Sequence, residues 1–193
     1  MIKKQIFPIL AILLGSCSLQ AAANNGAGNI ATYERVALIG DSHVEALGPR
    51  IKTLANKNGT KFKYEAHHGS KAGDWLREAA WGDWIDGFDP QMIVVNLGTN
   101  EAMSGKSAND LEPVFQKLAD RLSSHGHRRV VWITPPLLEK PKNLNQVQVA
   151  LFRLINVTLL DFGGKTYELR DGVHLVPKAY SLWAQEIATA LKI

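Results

Sequence analysis

At 193 residues the chain is long enough for one domain with a single sizeable core. Hydrophobic residues make up 46% and charged residues 21%, as in ordinary globular proteins, and beyond the extreme N-terminus no stretch is long and apolar enough to span a bilayer. The formal charge of +4 drops to +2 without residues 1–16, which hold two lysines and no acid; with no basic run interleaved with aromatics, that excludes nucleic acid as a partner.

In chain order, the first element is a leader. Lys3 and Lys4 precede the apolar IFPILAILLG and a run of small residues, the pattern of an export signal. Two cleavage sites are open. LGSC, Leu14 to Cys17, resembles the lipobox of bacterial lipoproteins and would make residues 1–16 the signal peptide, with a lipid on Cys17, the only cysteine. QAAA, ending at Ala23, is the alternative. The first choice implies a periplasmic or outer-membrane lipoprotein, Ser18 favouring the outer membrane by resemblance to enterobacterial lipoproteins; the second implies a secreted protein. Membrane contact is expected only through that anchor. No cysteine then remains for an intramolecular disulfide. Residues 17–33, rich in Gly, Asn and Ala, read as a flexible tether, and 34–193 as the folded domain.

From residue 35 strands and helices alternate. RVALIG (35–40), KFKYEA (61–66), QMIVVNLG (91–98), RRVVWIT (128–134) and VTLLDF (157–162) are short β-branched or apolar runs. The first, third and fourth are almost continuously apolar, as strands covered on both faces are. Helical patterns fill the gaps at 44–57, 74–86, 108–124 and 143–156. A last helix opens at Pro177, where a missing N–H costs nothing. This alternation predicts an α/β fold: a three-layer α/β/α sandwich around a mostly parallel five-stranded sheet. In such sheets ligands bind outside the carboxyl ends of the strands.

Those ends carry polar groups. The first strand runs into GDS (Gly40, Asp41, Ser42), the second into HHGSKAGDW (67–75) and the third into GTN (Gly98, Thr99, Asn100); DGVH, Asp171 to His174, precedes the last helix. Singly these are cap and turn residues. Together they suit acyl transfer. A serine hydroxyl needs a base, His174 can be one, and Asp171 lies close enough in sequence to orient it. The Ser42 N–H, a glycine N–H after the second strand and the Asn100 side chain could receive a developing oxyanion. Other motifs fail. GDSHV lacks the second glycine of G-x-S-x-G, and a phosphate loop ending at Ser107 needs glycine where Asn100 stands. His67 and His68 would point to opposite faces of a strand, His125 and His127 flank Gly126 in a loop, and neither H-E-x-x-H nor a paired C-x-x-C occurs; no metal is expected. Trp75, Trp81 and Trp84 read as a helix face packed on the sheet or as an aromatic platform beside the cleft, and Trp132 and Trp183 as core.

The ordered set GDS, a glycine-bearing second block, GTN and a late DGVH resembles the SGNH, or GDSL-type, hydrolase superfamily, over residues 35–192. The resemblance implies a flavodoxin-like sandwich with Ser42 as nucleophile, His174 as base and Asp171 as its partner. It implies an oxyanion hole of Ser42, Gly73 and Asn100, with Gly69 the rival for the glycine. Such enzymes cleave esters or thioesters without metal or organic cofactor. Glu101 after Asn100 and His43 after Ser42 depart from the commoner pattern; His43 and Trp75 are expected to contact substrate. The leading expectation is an O-acetylesterase acting on envelope or extracellular polysaccharide. A lysophospholipase, lipase or thioesterase, or a non-catalytic glycan-binding lipoprotein, are the alternatives.

Overall fold

In the computed structural model, residues 33–77, 80–124 and 126–193 are described, with residues 80 and 81 followed by backbone only. The leader, Cys17, the tether through residue 32, His125 and the side chain of Trp81 therefore lie outside the described residues. The strands are β1 (Arg35–Gly40), β2 (Lys61–Ala66), β3 (Met92–Asn96), β4 (Arg129–Ile133) and β5 (Thr158–Leu160). They form one sheet in the order β2-β1-β3-β4-β5, and every pairing is parallel. Every residue of β3 is buried, as are the last five of β1 and the last four of β4. Successive side chains of a strand point to opposite faces, so unbroken burial means both faces are covered. The edge strand β2 instead exposes Lys61 and Lys63, which discourages pairing with another chain.

The helices are α1 (Ser42–Lys57), α2 (Ala72–Arg77), α3 (Ala80–Phe88), α4 (Thr99–Ala102), α5 (Ala108–Ser123), α6 (Leu144–Phe152) and α7 (Pro177–Leu191). α1 packs on α7, and α5 packs on α2 and α6; these two groups cover the two faces, giving the expected three layers. Where the sequence predicts one helix over 74–86 there are two, α2 and α3. α2 begins at Ala72 because its N–H is received by Glu101 Oε1 at 2.6 Å, a cap supplied from 29 residues away. α4 is a single turn, too short to show a periodicity. β5 ends early because Asp161 leaves the ladder, its Oδ1 accepting the Thr134 hydroxyl at 2.9 Å and the Gly163 N–H at 2.9 Å.

The chain moves from β1 outward to β2 and then returns to place β3 on the other side of β1. The crevice between the carboxyl ends of β1 and β3 is thus the switch point of the sheet, where parallel α/β folds bind ligands. GDS closes β1 and GTN follows β3, so the two motifs face each other there.

Candidate active site

Ser42 is the first residue of α1. Asp41 caps that helix in extended conformation (φ −94°, ψ −155°), its Oδ1 accepting the His43 N–H at 3.0 Å. The Ser42 N–H lies in the first turn, where the helix itself offers no acceptor, and it faces outward with the positive end of the helix dipole.

The facing segment is folded around one carboxylate. Asp171 Oδ1 accepts the backbone N–H groups of Val173 at 3.0 Å and His174 at 2.7 Å, while Oδ2 lies 2.9 Å from His174 Nδ1. Gly172 makes this turn with φ +85°, and the Arg170 N–H donates to the His174 carbonyl at 2.7 Å across its neck. The backbone N–H and the ring of His174 hold the Asp171 carboxyl well below the usual carboxylate range, so it is ionised. An ionised acceptor keeps the ring proton on Nδ1, which leaves Nε2 as acceptor. Ser42 Oγ lies 3.0 Å from that Nε2. Residues 132 positions apart in sequence thereby form a continuous Ser-His-Asp relay.

Asn100 enters α4 just after Gly98, whose φ of +131° only glycine adopts readily. Its amide donates to Asp41 Oδ2 at 3.1 Å and to the Ser70 carbonyl at 3.0 Å, tying the β1 and β2 loops together. Asp41 is 1% exposed, and burial pushes its carboxyl up from 3.8 to about 7 against the lowering effect of the His43 N–H. Glu101 is also raised, again by burial. Ser42 opens to a pocket of about 260 Å³, lined also by Glu45, Ala46, His68, Arg170, His174 and Tyr180. Among the described residues no helix is long and apolar enough to cross a membrane, and no group of three or more His, Cys, Asp or Glu side chains is placed to hold a metal ion.

No protein-family model and no curated protein matches the sequence. Solved structures do match. A carbohydrate esterase of family 3 from Talaromyces cellulolyticus superposes with a TM-score of 0.69 at 20% identity, over 82% of this chain and 96% of that one. An acetyl xylan esterase gives 0.68 at 19% identity, over 81% and 98%. A GDSL-like lipase from Bacteroides thetaiotaomicron gives 0.66 at 14%, over 82% and 88%. The chain has the SGNH hydrolase fold.

Within this SGNH fold the sequence-derived site residues fall into three groups. Ser42, Asp171 and His174 are in mutual hydrogen-bond reach, and Asn100 is joined to the residue preceding Ser42. Gly73 sits inside α2, and with Gly69, Lys71, Glu101 and Phe115 it lines a second cavity, of about 380 Å³. Gly69 is exposed in the loop after β2 with φ +72°, between His68, whose ring stacks on His174 at 6.3 Å, and Ser70, which holds Asn100. The two expected substrate contacts are corrected. Trp75 is 0% exposed, stacked on His67 at 4.6 Å and donating from Nε1 to Ser70 Oγ at 3.0 Å, so it braces the loop from beneath. His43 is equally buried, because the helical turn that presents Ser42 outward turns the next side chain into the core. Trp84 is half-buried against Phe88, while Trp132 and Trp183 are core residues. Glu45, Arg170 and Tyr180 line the pocket without having been singled out in the sequence, since a charged helix face, a loop arginine and a helical tyrosine carry no motif.

Proposed function

We propose that the protein is a serine ester hydrolase that removes short acyl groups, acetyl foremost, from hydroxyls of a cell-envelope or extracellular polysaccharide. The observation that carries the reading is the Ser42–His174–Asp171 relay, with links of 3.0 and 2.9 Å, at the floor of a pocket of about 260 Å³. Among the described residues Ala46 is the only aliphatic side chain in that lining, which suits an acetyl group and offers little to a long chain. Two neighbours of this fold are named as a carbohydrate esterase and an acetyl xylan esterase. The choice of an envelope substrate rests on the N-terminal leader and on Cys17 as a lipid anchor.

In this reading Ser42 Oγ attacks the ester carbonyl as His174 Nε2 takes its proton, and the Asp171 carboxylate stabilises the imidazolium. The oxyanion of the tetrahedral intermediate is received by the N–H of Ser42, the N–H of Gly69 and the amide of Asn100, one of whose two N–H groups turns to it from Asp41 Oδ2 or the Ser70 carbonyl. Gly69 is proposed over Gly73 because its peptide lies between the residue touching His174 and the residue touching Asn100. Collapse breaks the bond to the sugar oxygen, which leaves as the alcohol with the proton from His174. Water, deprotonated by the same imidazole, then releases acetate and restores Ser42.

The test is hydrolysis of p-nitrophenyl acetate and p-nitrophenyl octanoate by the wild type and Ser42→Ala. The expected result is turnover of acetate well above octanoate, falling to background in the variant. Undiminished activity in Ser42→Ala removes the nucleophile, and preference for octanoate replaces the acetylesterase by a lipase.

A further inference from the structure

His43 follows the nucleophile directly, yet it lies beneath the site rather than in the pocket. Its Nδ1 shares a hydrogen bond with the Tyr180 hydroxyl at 2.9 Å. Tyr180 is in turn tied to the segment that follows His174, its backbone N–H donating to the Val176 carbonyl at 3.1 Å. The His43 ring is 5.6 Å from the His174 ring and 5.8 Å, edge-on, from Trp183. A path therefore runs from the Ser42 backbone through the His43 ring to Tyr180, and through the Tyr180 backbone to the segment that follows His174, bypassing the reacting atoms. Among the described residues His43 Nε2 is buried with no partner, and Tyr180 is the ring's only polar anchor. A leucine would fill that space without an orphaned nitrogen, so packing alone does not account for a histidine there.

We infer that His43 and Tyr180 are positioning residues, a strut that sets the separation of Ser42 Oγ and His174 Nε2. The inference rests on the reading of Ser42 as nucleophile and His174 as base. Neutrality of the strut also matters. Burial first, and the neighbouring His174 second, lower the His43 imidazole to about 3. An uncharged ring at this distance does not oppose the positive charge that His174 gains during attack.

The experiment compares Tyr180→Phe, His43→Leu, their combination and His43→Asn in the full chain, with p-nitrophenyl acetate. Tyr180→Phe and His43→Leu should each lower kcat about tenfold or more at unchanged KM, as misplacement of reacting groups does. The double variant should be no worse than the poorer single one, because both cut the same path. His43→Asn, which keeps a polar atom near the Nδ1 position, should recover most of the rate. Full activity in Tyr180→Phe, additive losses, or a change in KM alone overturns the strut. If the wild type hydrolyses no ester, the hydrolase reading fails separately, and the strut is read by NMR on ¹⁵N-histidine-labelled protein. Ser42→Ala should then move the His174 imidazole signals in the otherwise wild-type chain but not in Tyr180→Phe; an equal movement in both overturns it.

Discussion

Asp171 divides its two oxygens between backbone and ring, and this division does two jobs with one side chain. Two N–H groups on Oδ1 keep the carboxylate charged, and Oδ2 sets the tautomer of His174. That much is local, since all the partners lie within three residues, which is why the D-G-V-H spacing was readable from sequence. Burial is not local, and it governs the titration of the two residues flanking Ser42. His43, at about 3 against 6.5, cannot take up the proton that the unfolded chain binds, so its contribution to stability is lost as pH falls from about 6.5 toward 3. Asp41, at about 7 against 3.8, has the opposite sign: the native state keeps a proton the unfolded chain has released, and stability is lost as pH rises from about 3.8 to 7. His43→Leu deletes only the first effect. Relative to wild type, the variant should therefore gain about 2–3 kcal/mol between about pH 8 and pH 4.5, roughly 1.4 kcal/mol for each unit below 6.5. Urea unfolding of both proteins at the two pH values measures this, and parallel stabilities would count against a neutral buried His43.

At the scale of elements, the segment joining β2 to α2 is held at three points from outside itself. Asn100 donates to the Ser70 carbonyl, Trp75 Nε1 donates to Ser70 Oγ, and Glu101 receives the Ala72 N–H. Consecutive residues of α4 thus grip the loop that carries Gly69. The sequence pattern favours Gly73 over Gly69, because small residues ending in Gly-Asp resemble the second block. The decisive difference is conformational. Gly69 has φ +72°, and a Cβ there would meet nothing within 4 Å, so Gly69→Ala changes backbone preference without a clash. Gly73 is helical, and its added Cβ would make only an ordinary contact with Arg77 Nη1 at 3.5 Å. Gly69→Ala should lower kcat for p-nitrophenyl acetate about tenfold or more with KM little changed, since an oxyanion donor acts mainly in the transition state. Gly73→Ala should be close to wild type. The reverse pattern would return Gly73 to the oxyanion hole.

For the whole molecule, the position of the site depends on a sheet filled from both sides. Trp132 in β4 is fully buried, its ring 5.1 Å from that of Phe115 in α5, and its Nε1 donates to the Leu97 carbonyl at 3.0 Å, directly after β3. It therefore links the helix layer to the strand end that carries GTN. Trp132→Ala should destabilise the fold by about 3–5 kcal/mol, and thermal or urea unfolding would show it. A change below about 1 kcal/mol would mean the layers collapse around the cavity. The alternation of apolar strands and amphipathic helices, and the order of the polar blocks at their ends, were determined by the sequence alone, because apolar runs, 3.6-residue repeats and short motifs are all legible over a few residues. Tertiary structure decided the rest: that Ser42 and His174 meet across 132 residues, that His43 and Trp75 turn inward, and that His68 comes to His174 while Ser70 comes to Asn100. The physical reason is that burial and proximity arise where crossover connections bring distant segments side by side, and no local repeat encodes which segments those are.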